Sequence, residues 1–202
     1  MRFHFGPPPP NPEFQPEMNG WTPLREPKPL MLNIMAIPLS ILAMVALAVA
    51  WNREPTMAIN FDASIFGRLA PLVYVATILF IGFPGLILVH ELIHALGYPQ
   101  FGFSRQSLLG VWPSRLVFYA GYLGRLSRNR WLVVYLLPFL VLSVLPLLVC
   151  RPFHFDAPLL QVVSVVNGLF SGGDLVLVLL IFFQVPRAAT MQNQGWSTWW
   201  KT

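Results

Sequence analysis

The sequence predicts an all-α integral membrane protein with four transmembrane helices, the second and fourth kinked, and a partly strand-prone loop between the second and third. Three observations carry that expectation. Hydrophobic residues make up 55% of the 202-residue chain and charged residues only 10%, whereas soluble domains carry about 25% charged residues. Four apolar runs each supply the ~20 residues that cross a bilayer as a helix. The basic residues are also segregated by side. In hydrocarbon every backbone N–H and C=O needs a partner within its own segment, which favours helices.

Taken in order, residues 1–29 hold nine of the chain's 20 prolines, Pro7 to Pro10 among them. Such a stretch favours extended polyproline conformation and predicts a disordered tail. The first apolar run extends from about Leu30 to Trp51. Its Ala48-Val49-Ala50 has the look of a leader-cleavage site, but the run is too long and lacks a short basic leader, so it reads as a retained span. The second run, from about Leu69 to Tyr98, is interrupted by Gly82-Phe83-Pro84-Gly85, and the fourth, from about Pro158 to Val185, by Ser171-Gly172-Gly173. Breakers of this kind predict kinks, tolerated where a helix lines a protein-buried or wet cavity. The third run, Trp131 to Cys150, has no comparable glycine cluster. In the loop from Tyr98 to Arg130, Leu116-Val117-Phe118-Tyr119-Ala120 has strand propensity. The chain therefore divides into a proline-rich tail (1–29), a four-span domain (30–185) and a short segment (186–202). In that last segment Trp196, Trp199 and Trp200 read as interfacial anchors.

Four spans put the tail, the central loop and the C-terminal segment on one side. Those three segments hold ten of the 13 basic residues, leaving Arg53, Arg68 and Arg151 for the other side. The excess of Lys and Arg in cytoplasmic loops assigns both termini to the cytoplasm of a multi-pass membrane protein. It also accounts for the net charge of +5 without a nucleic-acid partner. The single cysteine, Cys150, excludes an internal disulfide framework.

Chemistry concentrates in His90-Glu91-Leu92-Ile93-His94. On a helix, residues four apart share a face, so His90 and His94 can bind one metal ion. Zinc suits imidazole ligands and keeps an open position for water in catalytic sites. It lowers the pKa of that water to about 7, and Glu91 is adjacent to take the proton. Ionisable residues are rare inside membrane spans and usually functional, which sharpens a motif that is weak in soluble proteins. The bland alternative is an interhelical hydrogen-bonding cluster.

The third ligand must come from elsewhere. A third histidine six positions past the second is excluded, because that position is Gln100. His4 lies in the tail; His154 and Asp156 lie in the loop assigned to the opposite side. Asp174 is the acidic residue within another span. Counted from Tyr98 and Val185, His94, His90 and Asp174 lie at depths of ~6, ~12 and ~16 Å, at ~1.5 Å per residue. Asp174 also ends a polar stripe, Gln161, Ser164, Asn167, Ser171, Asp174, whose spacing keeps all five on one helical face. Such a stripe serves as a packing seam, and its Asn167 is placed to donate to a developing oxyanion.

His90-Glu91-Leu92-Ile93-His94 together with Asn167-Gly168-Leu169-Phe170-Ser171-Gly172-Gly173-Asp174 resembles the membrane zincin peptidase family catalogued as domain of unknown function 3267. The resemblance extends over about Pro71 to Leu180, through Phe101-Gly102 and Leu136-Leu137-Pro138-Phe139. That family is distantly similar to site-2 intramembrane metalloproteases, although here Gly173 precedes the aspartate and Leu175 follows it, unlike the usual site-2 pattern. The resemblance implies zinc held by His90, His94 and Asp174, with Glu91 as the base. It further implies a membrane protein or peptide substrate cut near the cytoplasmic face. By analogy with site-2 enzymes, an edge strand of the central loop near the zinc would hold that substrate extended; the alternative is an interfacial loop whose arginines contact anionic lipid headgroups. A non-catalytic scaffold that keeps the motif for helix packing or structural metal binding is the competing expectation. It predicts no effect of replacing Glu91.

Overall fold

The computed structural model describes residues 1–52, 65–115 and 117–202. Arg53, counted above on the far side, and Leu116, in the strand-prone run, lie outside the described residues. In chain order the elements are β1 (Arg2–Phe5), β2 (Thr22–Pro23), α1 (Pro29–Trp51), α2 (Ile65–Thr77), α3 (Phe83–Leu96), β3 (Ser107–Trp112), β4 (Val117–Tyr122) and β5 (Leu126–Ser127). They continue as α4 (Arg128–Pro138), α5 (Leu145–Cys150), α6 (Pro158–Phe170), α7 (Gly172–Gln184), β6 (Thr190–Gln194) and β7 (Ser197–Lys201).

Among the described residues, three helices are long and apolar enough to cross a membrane: Pro29–Trp51, Ala70–Leu96 and Arg128–Cys150. The count reaches four when α6 and α7, which meet at a 51° bend, are taken as one span. That bend falls at the serine–glycine break expected there. The second span behaves differently. Its expected kink at residues 82–85 is a π-helical turn, Ile78–Gly82, through which α2 continues into α3 as one helix. A proline inside a helix clashes with the carbonyl four residues back. For Pro84 that residue is Phe80, inside the widened turn, so the helix need not break. Pro146 stands in the same relation to the π turn Phe139–Val144, which joins α4 to α5.

The chain is mostly helical but not all-α. One sheet has the order β1-β3-β4, with β1 parallel to β3 and β3 antiparallel to β4. The other has the order β2-β7-β6-β5, with antiparallel pairing. The strand expected near residues 117–120 is β4. The tail expected to be disordered supplies β1 and β2 and buries Phe14, Trp21 and Leu24 at 3%, 9% and 5% exposure. Prolines disfavour a long helix there, and the segment holds only a short helical turn, Glu17–Asn19, but extended segments between the prolines can pair along the edge of a sheet built by other strands. Trp199 and Trp200 lie in β7, opposite Pro23 and Thr22, and Trp200 packs against the main apolar cluster. Strand pairing thus gathers the N-terminal segment, the central loop and the C-terminal segment at one end of the bundle.

That end is closed by a core of Leu24, Tyr98, Trp131, Val134, Ile181 and Met191, with Trp131 and Val134 essentially inaccessible. Within the bundle α1 packs along α6 and α7. A side chain at Gly172 would collide with Ser40 Oγ and stand 2.7 Å from Ala36 O. This glycine therefore sets how closely α7 approaches α1, the use that membrane bundles commonly make of small residues. At Gly102 the backbone is left-handed, φ 81°, with Ala95 O 2.8 Å from any added Cβ, so only glycine closes the turn after α3.

Candidate metal centre

The last two turns of α3 carry His90 and His94 one helical turn apart, both 5% exposed, with ring centroids 4.9 Å apart. The first turn of α7 brings Asp174 to them. Its Oδ2 lies 2.9 Å from His90 Nε2 and 3.2 Å from His94 Nε2. The bend at Ser171 makes this approach possible, because it redirects the chain just where the polar stripe reaches the histidines. Of the residues singled out in the sequence, His90, His94 and Asp174 converge on one point. His4 lies on β1 with its Nε2 2.9 Å from Pro7 O, and His154 lies in the connection between α5 and α6.

The far nitrogen of each ring is fixed as well. His94 Nδ1 is 2.8 Å from Val134 O, a carbonyl that can only accept, so Nδ1–H donates. His90 Nδ1 donates to Asn167 Oδ1 at 2.7 Å. The orientation of that amide follows from its other end, where Asn167 Nδ2 donates to Ser143 Oγ (2.9 Å), Pro138 O (3.2 Å) and Ser171 Oγ (3.4 Å). The donor expected to serve an oxyanion is therefore engaged within the bundle, and Asn167 instead orients His90. The rest of the stripe is a packing seam. Ser164 Oγ donates to Ser143 O at 2.7 Å and accepts from Trp51 Nε1 at 3.0 Å.

These contacts set a chemical condition. With Nδ1 protonated, a neutral imidazole turns a bare lone pair outward at Nε2. Two such lone pairs and a carboxylate oxygen then face one another at 2.9–3.2 Å, an arrangement that only a cation relieves. Protonation would relieve it, and so would a divalent metal. The donor set fits zinc, which takes imidazole nitrogen and carboxylate oxygen. Histidines that ligate metal through one nitrogen characteristically donate the other to a carbonyl or carboxylate, as both do here. His90, Glu91 and His94 also offer ligand atoms within 4.8 Å of one another, close enough to hold one ion.

Glu91 also reaches β4, where its Oε2 accepts the Ala120 N–H at 2.6 Å. Ala120 O accepts from the Tyr98 hydroxyl at 3.0 Å, and burial pushes the Tyr98 phenol well above its usual range, so it stays protonated as a donor. A cleft of about 240 Å³ opens over these groups, lined also by Phe118, Tyr119, Tyr135, Trp196 and Glu26. Burial pushes the Tyr119 phenol up to about 12. It also pushes the Glu26 carboxyl up to about 7, against the lowering effect of its hydrogen bonds from Thr198.

Sequence reasoning missed several of these partners. Val134 acts through its carbonyl and Ala120 through its N–H, which side-chain identity does not reveal. Ser143 was visible as a lone polar residue in the third apolar run. Glu26 was hidden by its place in a proline-rich segment.

A family profile described as "Putative zincin peptidase" matches residues 83–190. No curated protein and no solved structure gives a significant match. The matched region spans both halves of the site, from the start of α3 to the start of β6, and the family implies zinc. The chain belongs to the zincin peptidase family catalogued as domain of unknown function 3267.

Proposed function

We propose that this protein is a four-span membrane metallopeptidase that hydrolyses peptide bonds of membrane-associated polypeptides near the cytoplasmic face. One observation carries the reading: the Asp174 carboxylate on α7 meets both Nε2 atoms of the α3 histidines, 2.9 and 3.2 Å away, while both Nδ1 atoms are held as donors. His90, His94 and Asp174 are the proposed ligands. Glu91 is the competing carboxylate for the third position, since it also lies within metal-binding range. We favour Asp174 because its Oδ2 already faces both Nε2 atoms, whereas Glu91 Oε2 is engaged by Ala120.

When bound, zinc would supply a Lewis acid for the scissile carbonyl and lower the pKa of a water molecule. The chain's own residues do the rest. Val134 O and Asn167 Oδ1 hold the imidazoles in the tautomer that presents Nε2. Glu91 takes a proton from the attacking water at its carboxylate and returns it to the leaving amine. The outer edge of β4 offers a binding surface for extended peptide. Ala120 directs both its N–H and its C=O off the sheet toward α3, and in an antiparallel ladder Phe118 and Tyr122 direct theirs the same way. A peptide docked there would lie extended beside the metal, which matters because a helix hides its amide carbonyls.

The membrane assignment rests on the length and apolarity of the helices. The cytoplasmic assignment of both termini rests on the basic residues of the three segments that pair at one end. The metal set is tested by measuring zinc in purified wild type, His90→Ala and Asp174→Ala. Wild type is expected to hold one equivalent and both variants to lose it. Equal zinc in all three would remove the site, and loss in the histidine variant alone would move the third ligand elsewhere.

A further inference from the structure

We propose that Glu26 forms a cation-binding subsite in the cleft, taking a lysine or arginine side chain of the polypeptide substrate. This inference rests on the peptidase reading above and adds a substrate class to it.

Glu26 precedes α1 and lines the same cleft as His90, Glu91, His94 and Asp174. The cleft wall thus includes three carboxyl groups, and among the described residues it includes no lysine or arginine. Two of the three are already engaged: Asp174 by both histidines and Glu91 by Ala120 N–H. Glu26 is not paired with any cation among the described residues. Thr198 is its hydrogen-bond partner, the backbone N–H donating to Oε2 at 3.1 Å. With one divalent ion and neutral imidazoles, three carboxylates leave the cleft with an excess of negative charge.

The contact to Thr198 has a structural use of its own. Leu24 N–H donates to Thr198 O at the end of the β2–β7 ladder, and the Glu26 side chain accepts from Thr198 N–H just beyond. That explains a side-chain oxygen at position 26; it does not explain a negative charge. A glutamine would cap the ladder equally well. Charge on a cleft wall with no cation opposite is costly, and the carboxyl held up at about 7 by burial is the sign of that cost. A cationic side chain entering the cleft would remove it.

The cleft is also shaped for such a side chain. Leu32, Leu177 and Trp196 offer apolar surface for an aliphatic stem. The proposed position supplies the ligand. Membrane proteins concentrate Lys and Arg just on the cytoplasmic side of their spans, where a substrate would present them to a site near that boundary.

The test uses the full-length, zinc-loaded protein in detergent and fluorescent leucine-rich peptides in which a single lysine, or norleucine as its uncharged counterpart, is moved through the sequence. Binding is read by anisotropy and cleavage by mass spectrometry. At one position of the scan the lysine peptide is expected to bind about tenfold tighter than the norleucine peptide, the scale of one hydrogen-bonded charge contact. Glu26→Gln, which retains the Thr198 contact, is expected to bring the pair within about twofold while leaving norleucine affinity unchanged. An undiminished preference in Glu26→Gln, no preference in wild type, or equal loss of both peptides in the variant would each overturn the subsite. Cleavage without any lysine preference would sink the subsite and leave the peptidase standing. A Glu26-dependent preference without cleavage would do the reverse.

Discussion

The helical bundle and the strand-built end that covers it hold their polar groups by different means. In the bundle, polar side chains bond one another across helices: His90 to Asn167, Asn167 to Ser143, Ser164 to Ser143 O, and Trp51 to Ser164. Each sits in an apolar run and is fully buried or nearly so. At the covering end the bonding is largely backbone pairing, in two hairpins, β3–β4 and β6–β7, that are joined to segments far apart in sequence by the pairing of β1 with β3, β2 with β7 and β5 with β6. The candidate site lies where the two meet. Its candidate ligands come from α3 and α7, while the group that holds Glu91 comes from β4. The bundle therefore supplies the candidate ligands, and the covering end forms part of the cleft wall over them.

The largest expected effect tests that division at Glu91, which belongs to the bundle by sequence and to the sheet by its hydrogen bond. Glu91→Gln keeps an acceptor for Ala120 N–H but removes the proposed base. Peptide hydrolysis is expected to fall about 10²- to 10⁴-fold, the usual worth of general acid–base catalysis, with zinc content unchanged. Retained hydrolysis would remove Glu91 as the base, no hydrolysis by the wild type with cellular function unchanged in the variant would favour the scaffold expectation, and lost zinc would make Glu91 a ligand.

A smaller effect is expected one shell out. Asn167→Leu removes the acceptor of His90 Nδ1–H while roughly conserving volume. Loss of such a partner typically weakens metal binding about 10- to 100-fold, measurable by competition with a chelator. Because its amide N–H₂ faces Ser143, Pro138 and Ser171, the loss should appear in affinity. An unchanged affinity with a specific fall in hydrolysis would restore the oxyanion role first expected of it.

The contrast between the regions also explains what the sequence revealed. His90, His94 and Asp174 were legible because ionisable groups in apolar runs have few other reasons to be there, and the spacing of the stripe kept Asp174 in phase with Asn167 and Ser171. The bend between α6 and α7 was legible from Ser171-Gly172-Gly173. The π turns were not. Pro84 signals difficulty for a helix, but whether the chain kinks or widens a turn is decided by packing. The two sheets were hidden more completely. β2 and β5 are two residues each, too short for any periodicity, and they exist because β6 and β7 offer them partners. Residues 1–29 look disordered by composition, yet Phe14 and Trp21 meet edge to face with centroids 4.9 Å apart, and both are buried. A local reading cannot see the pairings of β1 with β3 and β2 with β7, which join segments far apart in sequence.

Gly172 probes the bundle without touching a ligand. In Gly172→Ala the added Cβ meets Ser40 Oγ, with Ala36 O 2.7 Å away, so α1 must move off α7. Overpacking of this kind costs about 1–3 kcal/mol, read as a lower melting temperature in detergent. Ser40→Ala in the same chain should restore part of the loss, since it removes the nearest obstacle. Failure of that rescue would show that the Ala36 carbonyl, not the serine, sets the approach.

The smallest expected effect belongs to the covering end and is seen as a dependence on pH. Burial raises Glu26 from 4.5 to about 7, so the folded chain keeps a proton that the unfolded chain has already lost. Where the folded state binds more protons, stability falls as pH rises. Glu26 is thus least unfavourable to folding below about 4.5, and its contribution worsens steadily up to about 7. Glu91, Asp174, His90, His94, Tyr98, Tyr119 and Tyr135 share the cleft in wild type and variant alike. The difference between them therefore isolates position 26. Glu26→Gln, which keeps the Thr198 contact, should gain melting temperature relative to wild type as pH rises through that window and hold the gain above it. Parallel curves across the window would mean that the carboxyl is solvated well enough to ionise freely, and the covering end would then exert less control over the charge of the cleft than its packing implies.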